Sequence, residues 1–315
     1  MDQVRWLNRP TLRSPVVVAA FTGWNDAGDA ASNSVRHLVE SWEAVPLAEI
    51  DPEEFTDFAT VRPHVRLDAQ QQRTIVWPTV GLWSASTPGG DVILVLGPEP
   101  ALRWTLFVEQ IMGVADQLGA SMLLTLGALL ADVPHTRNVR LIGTATDERM
   151  IERYSLQRSN YEGPTGIVGV LHDGCVRHDL ASASLWAAVP AYASQVPSPK
   201  ASLSLVERTC EILGCPAPTA RLIDAARDYD ERVTSFVDDD SELTGYVARL
   251  ESMADAGELN DDVDEDDDLS DDDEEDEDDT IGGERGDDAP LAAPVDSDEL
   301  MAEVERFLRD QGNPG

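Results

Sequence analysis

Seven side chains that could hold a ligand or a partner follow apolar runs, at points where buried strands would end. The clearest run is VVVAAFT at residues 16–22, which leads into the polar loop GWNDAG. Amide, carboxylate, hydroxyl and guanidinium groups in such loops can bind polar groups or anions, and glycines let a ligand approach the backbone closely. The seven side chains are Trp24, Asn25, Asp26, Glu99, Arg103, Thr136 and Arg137.

The elements that position these side chains are predicted by the same pattern. A short, uninterrupted run of β-branched and small apolar residues is typical of a strand buried on both faces of a parallel sheet. DVILVLGPEP at residues 91–100 and SMLLTLGALL at residues 121–130 repeat the pattern. Because the carboxyl ends of parallel strands share one edge, where ligands and partners usually bind, we expect the seven side chains to cluster there.

A second interpretation of the first loop needs no ligand. Asn25 or Asp26 would cap the helix predicted at residues 26–42, and Trp24 would pack over the sheet edge. Cap residues are the norm at this position, so the pattern alone favours this interpretation. By the same reasoning, the acids and arginines of the other loops are often only solvated or paired with each other.

Several common reaction centres lack their local pattern. The chain contains no GxxxxGKS/T, no GxGxxG after a strand, no GxSxG and no CxxC. Phosphate-cradle, dinucleotide, serine-nucleophile and dithiol chemistry are therefore not indicated. Lys200, the one lysine, would have to serve any Schiff-base chemistry. We expect no catalytic residue and no cofactor.

One motif suggests a metal. His172, Cys175 and His178 form HxxCxxH, and imidazole and thiolate are the usual zinc ligands. Residues three and six positions further along a helix are rotated by roughly 300° and 600°, so the three side chains would not converge. We therefore expect no metal site, but a helix end with two solvated histidines and a buried cysteine.

Charge excludes further classes of function. The net charge is −37, and residues 1–254 hold 33 acids against 20 bases, with no basic stripe. Such a body is unsuited to nucleic acid or an anionic membrane surface. The three cysteines form no disulfide framework, the first residues do not resemble an export signal, and no apolar run is long enough to span a membrane. We expect a cytoplasmic protein.

The remaining pattern predicts the architecture. Strands and helices alternate up to a last strand that ends at Pro190, after which three helices follow from Pro199 onward. This order predicts an α/β fold, a three-layer α/β/α sandwich with a mixed sheet and a C-terminal helical appendage. The predicted boundaries are residues 1–195 for the core and 196–254 for the appendage of the same domain.

The last fifth of the chain differs in composition. Between residues 261 and 279, sixteen of nineteen residues are acidic, so we expect a disordered linker over residues 255–295. Apolar residues return at helical spacing after it, which predicts a short amphipathic helix over residues 296–311. Because a lone helix of that length is marginal in water, it would dock on the body or on a partner.

Six segments in order carry a resemblance to a known family. FTGWNDAGDAAS, LGPEPALRW, GPTGIVGVL, SLWAAVPAY, SPKAS and YVARLE are together similar to the proteasome assembly chaperone 2 family in its actinobacterial form, over roughly residues 4 to 254. The resemblance implies a phosphorylase- and peptidyl-hydrolase-like sandwich that often self-associates. Eukaryotic and archaeal members bind proteasome subunits. Archaeal relatives can end in a hydrophobic-Tyr-any tripeptide that docks on the ring, whereas this chain ends QGNPG.

Two functional hypotheses follow. The first is a non-catalytic protein-binding scaffold or assembly chaperone, a homo-oligomer whose partners could include proteasome subunits. The second is a small-molecule hydrolase or phosphorylase, with Asn25, Asp26, Glu99 and Arg137 lining a polar pocket. A deep pocket in which those four side chains converge favours the enzyme, and a shallow site beside an apolar patch favours the scaffold.

Overall fold

A computed structural model describes residues 2–68 and 71–258 of the chain. Ten strands lie within those residues: β1 Val4–Trp6, β2 Val16–Thr22, β3 Val45–Ile50, β4 His64–Leu67, β5 Arg73–Val76, β6 Val80–Thr87, β7 Gly90–Pro98, β8 Met122–Ala131, β9 Leu141–Ala145 and β10 Ala181–Pro190. The α-helices are α1 Ala30–Ser41, α2 Trp104–Leu118, α3 Glu148–Tyr154, α4 Ile167–Arg177, α5 Pro199–Leu213, α6 Ala220–Asp238 and α7 Ser241–Ala256.

Eight strands form one mixed sheet in the order β1-β3-β6-β7-β2-β8-β10-β9. The four strands β7, β2, β8 and β10 are parallel, and the strands on both sides of them run antiparallel to their neighbours. Val16 in the central strand lies beside Val92 on one side and Met122 on the other. The carboxyl ends of the parallel strands therefore lie at one edge, as the apolar runs predict.

Alternate residues of β2 enter two separate cores. Val18 and Ala20 pack with α1 and α5, whereas Val17, Ala19 and Phe21 pack with α2 and α4. This double burial explains why the strand is apolar throughout. The predicted three-layer α/β/α sandwich with a mixed sheet is confirmed.

The C-terminal helices close one end of the sandwich. Helix α5 packs on α1 and β10, α6 packs on α5, and a small apolar cluster around Tyr229, Val233 and Val247 joins α6 to α7. The apolar spacing predicts a helix over residues 199–213, and α5 spans those residues. Helix α7 continues to Ala256, beyond residue 255, where the acidic linker was predicted to start. The rest of the predicted linker and the predicted terminal helix lie outside the described residues.

Four elements were not predicted: β1, β6, β9 and α3. In β6, Gly81 interrupts the apolar pattern because the ring of Trp83 covers it; a Cβ there would lie 2.3 Å from that ring. In β9, Gly143 interrupts the apolar run of a strand that is only five residues long. Glycine weakens the interior of a strand, so neither segment has the composition of a typical strand.

The strands β4 and β5 form a two-stranded sheet of their own, which we call the hairpin. They pair antiparallel, with Val65 opposite Ile75. All eight strand residues are exposed. The alternating patterns at residues 63–68 and 73–77 predict an antiparallel excursion at the sheet edge; the two strands do pair antiparallel, but they form a separate sheet.

Candidate functional site

The loop after β2 and the loop after β7 meet at the expected edge of the sheet. Asn25 Nδ2 donates a hydrogen bond of 2.9 Å to Glu99 Oε1, and the backbone N–H of Ile167 donates one of 2.8 Å to the same oxygen. Asn25 is only 1% exposed. Glu99 thus joins the β2 loop to the first residue of α4, where a negative charge also complements the helix dipole.

Gly166 completes this contact. A Cβ on Gly166 would lie 2.4 Å from Asn25 Oδ1 and 2.8 Å from Glu99 Oε1, so only glycine lets the three loops approach this closely. We call Asn25, Glu99, Gly166 and Ile167 the sheet-edge junction. The Gly-rich segment before α4, which the sequence singles out, therefore has a packing role here.

Asp26 lies beside the junction but points toward α1. Its Oδ1 accepts hydrogen bonds from the backbone N–H groups of Ala31 and Ser32, at 2.8 and 3.0 Å. Burial raises the pKa of this carboxyl group, and the hydrogen bonds from Ser32 and Ala31 oppose part of that rise. The helix-capping interpretation is confirmed for Asp26, although a short 3-10 turn at Ala27–Asp29 separates it from the helix.

Trp24 is 58% exposed at the mouth of a cavity of about 360 Å³. The cavity is lined by Thr144 of β9 and Ser184 of β10, whose hydroxyl groups are 2.8 Å apart, and by Trp186 and the first turn of α4. Arg158 also lines it. The cavity is within the size range of small-ligand sites.

His172 of α4 also lines this cavity, and here the sequence prediction is wrong. We expected a solvated histidine, but Nε2 lies 2.9 Å from Thr125 Oγ1 and Nδ1 lies 2.9 Å from Ser182 Oγ. Burial lowers the pKa of His172 to about 4, so the ring is neutral at pH 7. Its partners lie on β8 and β10, 47 and 10 residues away along the chain, and no local pattern predicts either contact.

The other two residues of the HxxCxxH motif point elsewhere. Cys175 is buried, as predicted, and burial raises the pKa of its thiol to about 12. His178 lies 3.0 Å from Asp116 and 3.2 Å from Glu109, and the hydrogen bond with Asp116 raises its pKa. Among the described residues there is no group of three potential metal ligands.

Thr136 and Arg137 do not join the junction, because they bind α7. Arg137 donates from Nε and Nη2 to the two carboxylate oxygens of Asp255, at 2.8 and 2.9 Å. Thr136 Oγ1 donates to Glu251. Arg103, another of the seven predicted side chains, also lies outside the junction and forms an ion pair with Glu54.

The loop after β8 holds three contacts that the sequence reasoning missed. The backbone N–H of His135 donates to the hydroxyl group of Tyr192 at 2.7 Å, and Nε2 lies 3.0 Å from Thr234 Oγ1. Lys200 bonds the carbonyl group of His135 and lies 3.0 Å from Asp230. The only available signal was that Lys200 is the one lysine of the chain.

The four side chains of the enzyme hypothesis thus do not converge in one pocket. Asn25 and Glu99 bind each other, Asp26 caps α1, and Arg137 is committed to α7. Their geometry fixes loops and helices to the sheet. No helix within residues 2–68 and 71–258 has the length and apolar character required to cross a bilayer.

Comparisons with known proteins place this architecture in a family. The family model described as the PAC2 family matches residues 20–237. A PAC2 family protein from Streptomyces avermitilis is 42% identical, with a TM-score of 0.69, and the match covers 74% of this chain and 99% of that one. A proteasome-assembly chaperone homologue from Mycobacterium tuberculosis is also 42% identical, with a TM-score of 0.67 and the same coverage.

More distant structures share the fold alone. PbaB of Pyrococcus furiosus, an archaeal proteasome activator, is 17% identical with a TM-score of 0.60, over 74% of this chain and 97% of that one. A search of curated proteins returned no match. The family model covers well over half of the chain, and two solved structures match at 42% identity over nearly their whole length. The chain belongs to the PAC2 family.

Proposed function

We propose that this chain is an assembly chaperone that binds other polypeptides by surface contact and carries out no chemical step. The observation that carries the proposal is the 42% identity to a proteasome-assembly chaperone homologue over 99% of that protein. The match therefore spans nearly the whole of that protein and not only one segment of it.

The use of polar groups at the sheet edge supports a binding role. Catalytic groups need free lone pairs or protons aimed at a shared position. Here the carboxylate of Glu99 holds two donors, and the guanidinium group of Arg137 is bidentate on Asp255. Exposed side chains such as Trp24 remain for a partner, and tryptophan is among the residues that most often dominate binding energy.

The mechanism we infer is the shielding of a subunit's apolar interface until the correct neighbour arrives. The proposed clients are proteasome subunits, and the chain acts in the cytoplasm as a homo-oligomer without nucleic acid or membrane. The net charge of −37 supports this choice, because it disfavours nonspecific association with anionic surfaces.

The test mixes the full chain with purified α- and β-type proteasome subunits of the same organism. Native gels and light scattering follow complex formation, and peptidase activity follows the assembled particle. We expect a stoichiometric complex with free subunits and faster particle formation. Absence of any complex, together with an unchanged assembly rate, would overturn the proposal.

A matched pair of variants localises the contact. Trp24 at the sheet edge and Phe236 on α6 are both 58% exposed. We expect Trp24→Ala to weaken client binding by about tenfold or more, as for an aromatic hot spot, and Phe236→Ala to leave binding unchanged. Equal effects of the two substitutions would show that the sheet edge is not the client surface.

The cavity of about 360 Å³ is the one observation that favours the alternative, a small-molecule hydrolase or phosphorylase. Turnover of a metabolite by the purified chain, abolished by Ser184→Ala with the fold intact, would support that function instead. Client binding without any such turnover supports the chaperone.

A further inference from the structure

The hairpin presents apolar side chains to solvent, and none of its eight strand residues is buried by the rest of the described chain. Val65, Leu67 and Ile75 are 55%, 58% and 57% exposed, and the strand register places all three on one face. Phe58 contacts Trp77 edge to face, with ring centroids 5.3 Å apart, at the base of the hairpin. An isolated two-stranded hairpin is marginal in water, so this element gains stability when its apolar face is covered.

The charge of the hairpin is opposite to that of the chain. Residues 62–77 contain Arg62, Arg66 and Arg73 against a single acid, Asp68, in a chain with a net charge of −37. Within the part of the chain that the structure describes, no ion pair joins any of the three arginines to an acid. Other arginines do find acids, such as Arg137 on Asp255.

We propose that the hairpin of one copy docks on the acidic exterior of a second copy of this chain. This inference rests on the self-association included in the proposed function and names its surface. The hairpin supplies positive charge and an apolar face, and the rest of the body supplies the negative charge that the three arginines lack. Complementary charges of this kind set the orientation and speed of association.

The same charges oppose contact between two hairpins. Each hairpin with its adjoining residues 62–77 has three arginines and one acid, so pairing two hairpins would place like charges side by side. The hairpin of one copy therefore meets a different surface of the other copy. Such a contact is made twice in a two-fold dimer, or closes into a ring when it is not reciprocal and the rotation between copies permits it.

Arg62→Gln/Arg66→Gln/Arg73→Gln distinguishes the two geometries. If the hairpin meets an acidic surface, loss of the positive charge weakens self-association; a dissociation constant raised about tenfold or more is expected. If hairpins meet each other, the same change removes repulsion and strengthens it. Sedimentation of the full chain measures the constant, and an unchanged or lower value overturns the proposal.

Two further samples control for net charge and for the apolar face. Arg149→Gln/Arg153→Gln/Arg227→Gln removes three exposed arginines elsewhere and is expected to leave self-association unchanged. Val65→Thr/Ile75→Thr keeps the charge, suits a strand, and is expected to weaken self-association. An effect of the control as large as that of the hairpin variant would mean that net charge alone decides, which also overturns the proposal.

The salt dependence of self-association measures the charge contribution independently. Between about 0.01 M and 1 M ionic strength the screening length falls from about 30 Å to about 3 Å, so the charge contribution is expected to fall in the wild type and not in the Gln variant. Failure here is distinguishable from failure of the proposed function. A wild type that stays monomeric but binds proteasome subunits through Trp24 refutes only the hairpin contact.

Discussion

The sheet-edge junction buries polar side chains, whereas the hairpin exposes apolar ones. Both depart from the usual rule that polar residues lie outside and apolar residues inside. At the junction the polar side chain of Asn25 is buried at 1% exposure, whereas in the hairpin the aliphatic side chain of Ile75 is 57% exposed. Most buried polar groups are hydrogen-bonded, as Asn25 Nδ2 is to Glu99, whereas an exposed apolar patch often marks an interaction surface. The comparison indicates that the polar residues hold this fold together and that the apolar residues of the hairpin are available to a partner.

Gly166→Ala tests the junction most severely. The new Cβ would lie 2.4 Å from Asn25 Oδ1 and 2.8 Å from Glu99 Oε1, so both side-chain ends must move and the hydrogen bonds that Glu99 accepts are weakened. We expect the free energy of unfolding to fall by about 3 kcal/mol, as for an overpacked buried site. Urea unfolding followed by circular dichroism measures it.

Gly245→Ala is the matched control for that experiment. Gly245 lies within α7, and the nearest group to its added Cβ is the end of Arg249 at 3.9 Å. Alanine favours a helix over glycine, so a gain of about 0.5–1 kcal/mol is expected. If both alanine variants change stability by the same amount, the close approach at Gly166 has no energetic role.

His172→Gln is expected to have the next largest effect on the free energy of unfolding, and that effect depends on pH. In the folded chain the pKa of His172 is lowered to about 4, against 6.5 for an unperturbed histidine. Between those values the unfolded chain binds the extra proton, so the wild type loses stability as the pH falls from 6.5 to 4. Because the side chain is only half-buried, we expect this loss to be about 2 kcal/mol.

The Gln variant keeps a neutral hydrogen-bonding side chain and should lack that contribution. The difference in unfolding free energy between wild type and variant isolates His172 from the many carboxylates that also titrate. The difference should be largest above pH 6.5 and should shrink toward pH 4. A difference that is constant over this range would mean that His172 is protonated in the folded chain.

The local sequence pattern was sufficient to predict those strands and helices whose burial and end residues are visible within the segment itself. The run at residues 16–22 is apolar throughout because both of its faces are buried, so β2 and its polar loop could be predicted. The α5 boundaries could be predicted because Ser198 caps the helix and Gly214 ends it in a left-handed conformation.

The contacts of the site residues could not be predicted, because their partners lie in other segments of the chain. Arg137 and Asp255 are 118 residues apart, so no window of sequence shows that the loop after β8 binds α7 and not the junction. His172 was expected in solvent because its partners Thr125 and Ser182 lie on two strands that only the sheet brings together. The edge could be predicted from the strands, but the partner of each side chain could not.

Asp26→Asn should change the free energy of unfolding less than His172→Gln does. The pKa of Asp26 is raised by burial above its unfolded value of 3.8, so the folded chain binds the extra proton and stability falls as the pH rises above 3.8. Asparagine keeps the oxygen that caps α1 and has no charge to desolvate. The variant should therefore gain relative to wild type as the pH rises, by no more than about 1 kcal/mol at neutral pH.

A pH series of urea midpoints for the two proteins measures that gain. Ser32→Ala is a useful companion, because the backbone N–H of Ser32 still donates to Asp26 after its hydroxyl group is removed. The pH trend should survive in Ser32→Ala and disappear in Asp26→Asn. If wild type gained on Asp26→Asn as the pH rose, the pKa of Asp26 would be lowered in the folded chain.

The smallest effect on stability is expected in the hairpin, where Val65→Thr/Ile75→Thr should change the unfolding free energy of the monomer by less than about 0.5 kcal/mol. Both side chains are more than half exposed and lie on a sheet separate from the main one, so little burial is lost. The same variant is expected to weaken self-association, measured by sedimentation on the same sample. The hairpin is therefore expected to contribute to binding and not to folding, whereas at the junction Gly166→Ala lowers stability. A large loss of monomer stability in the hairpin variant would remove that separation, because the hairpin would then be part of the core.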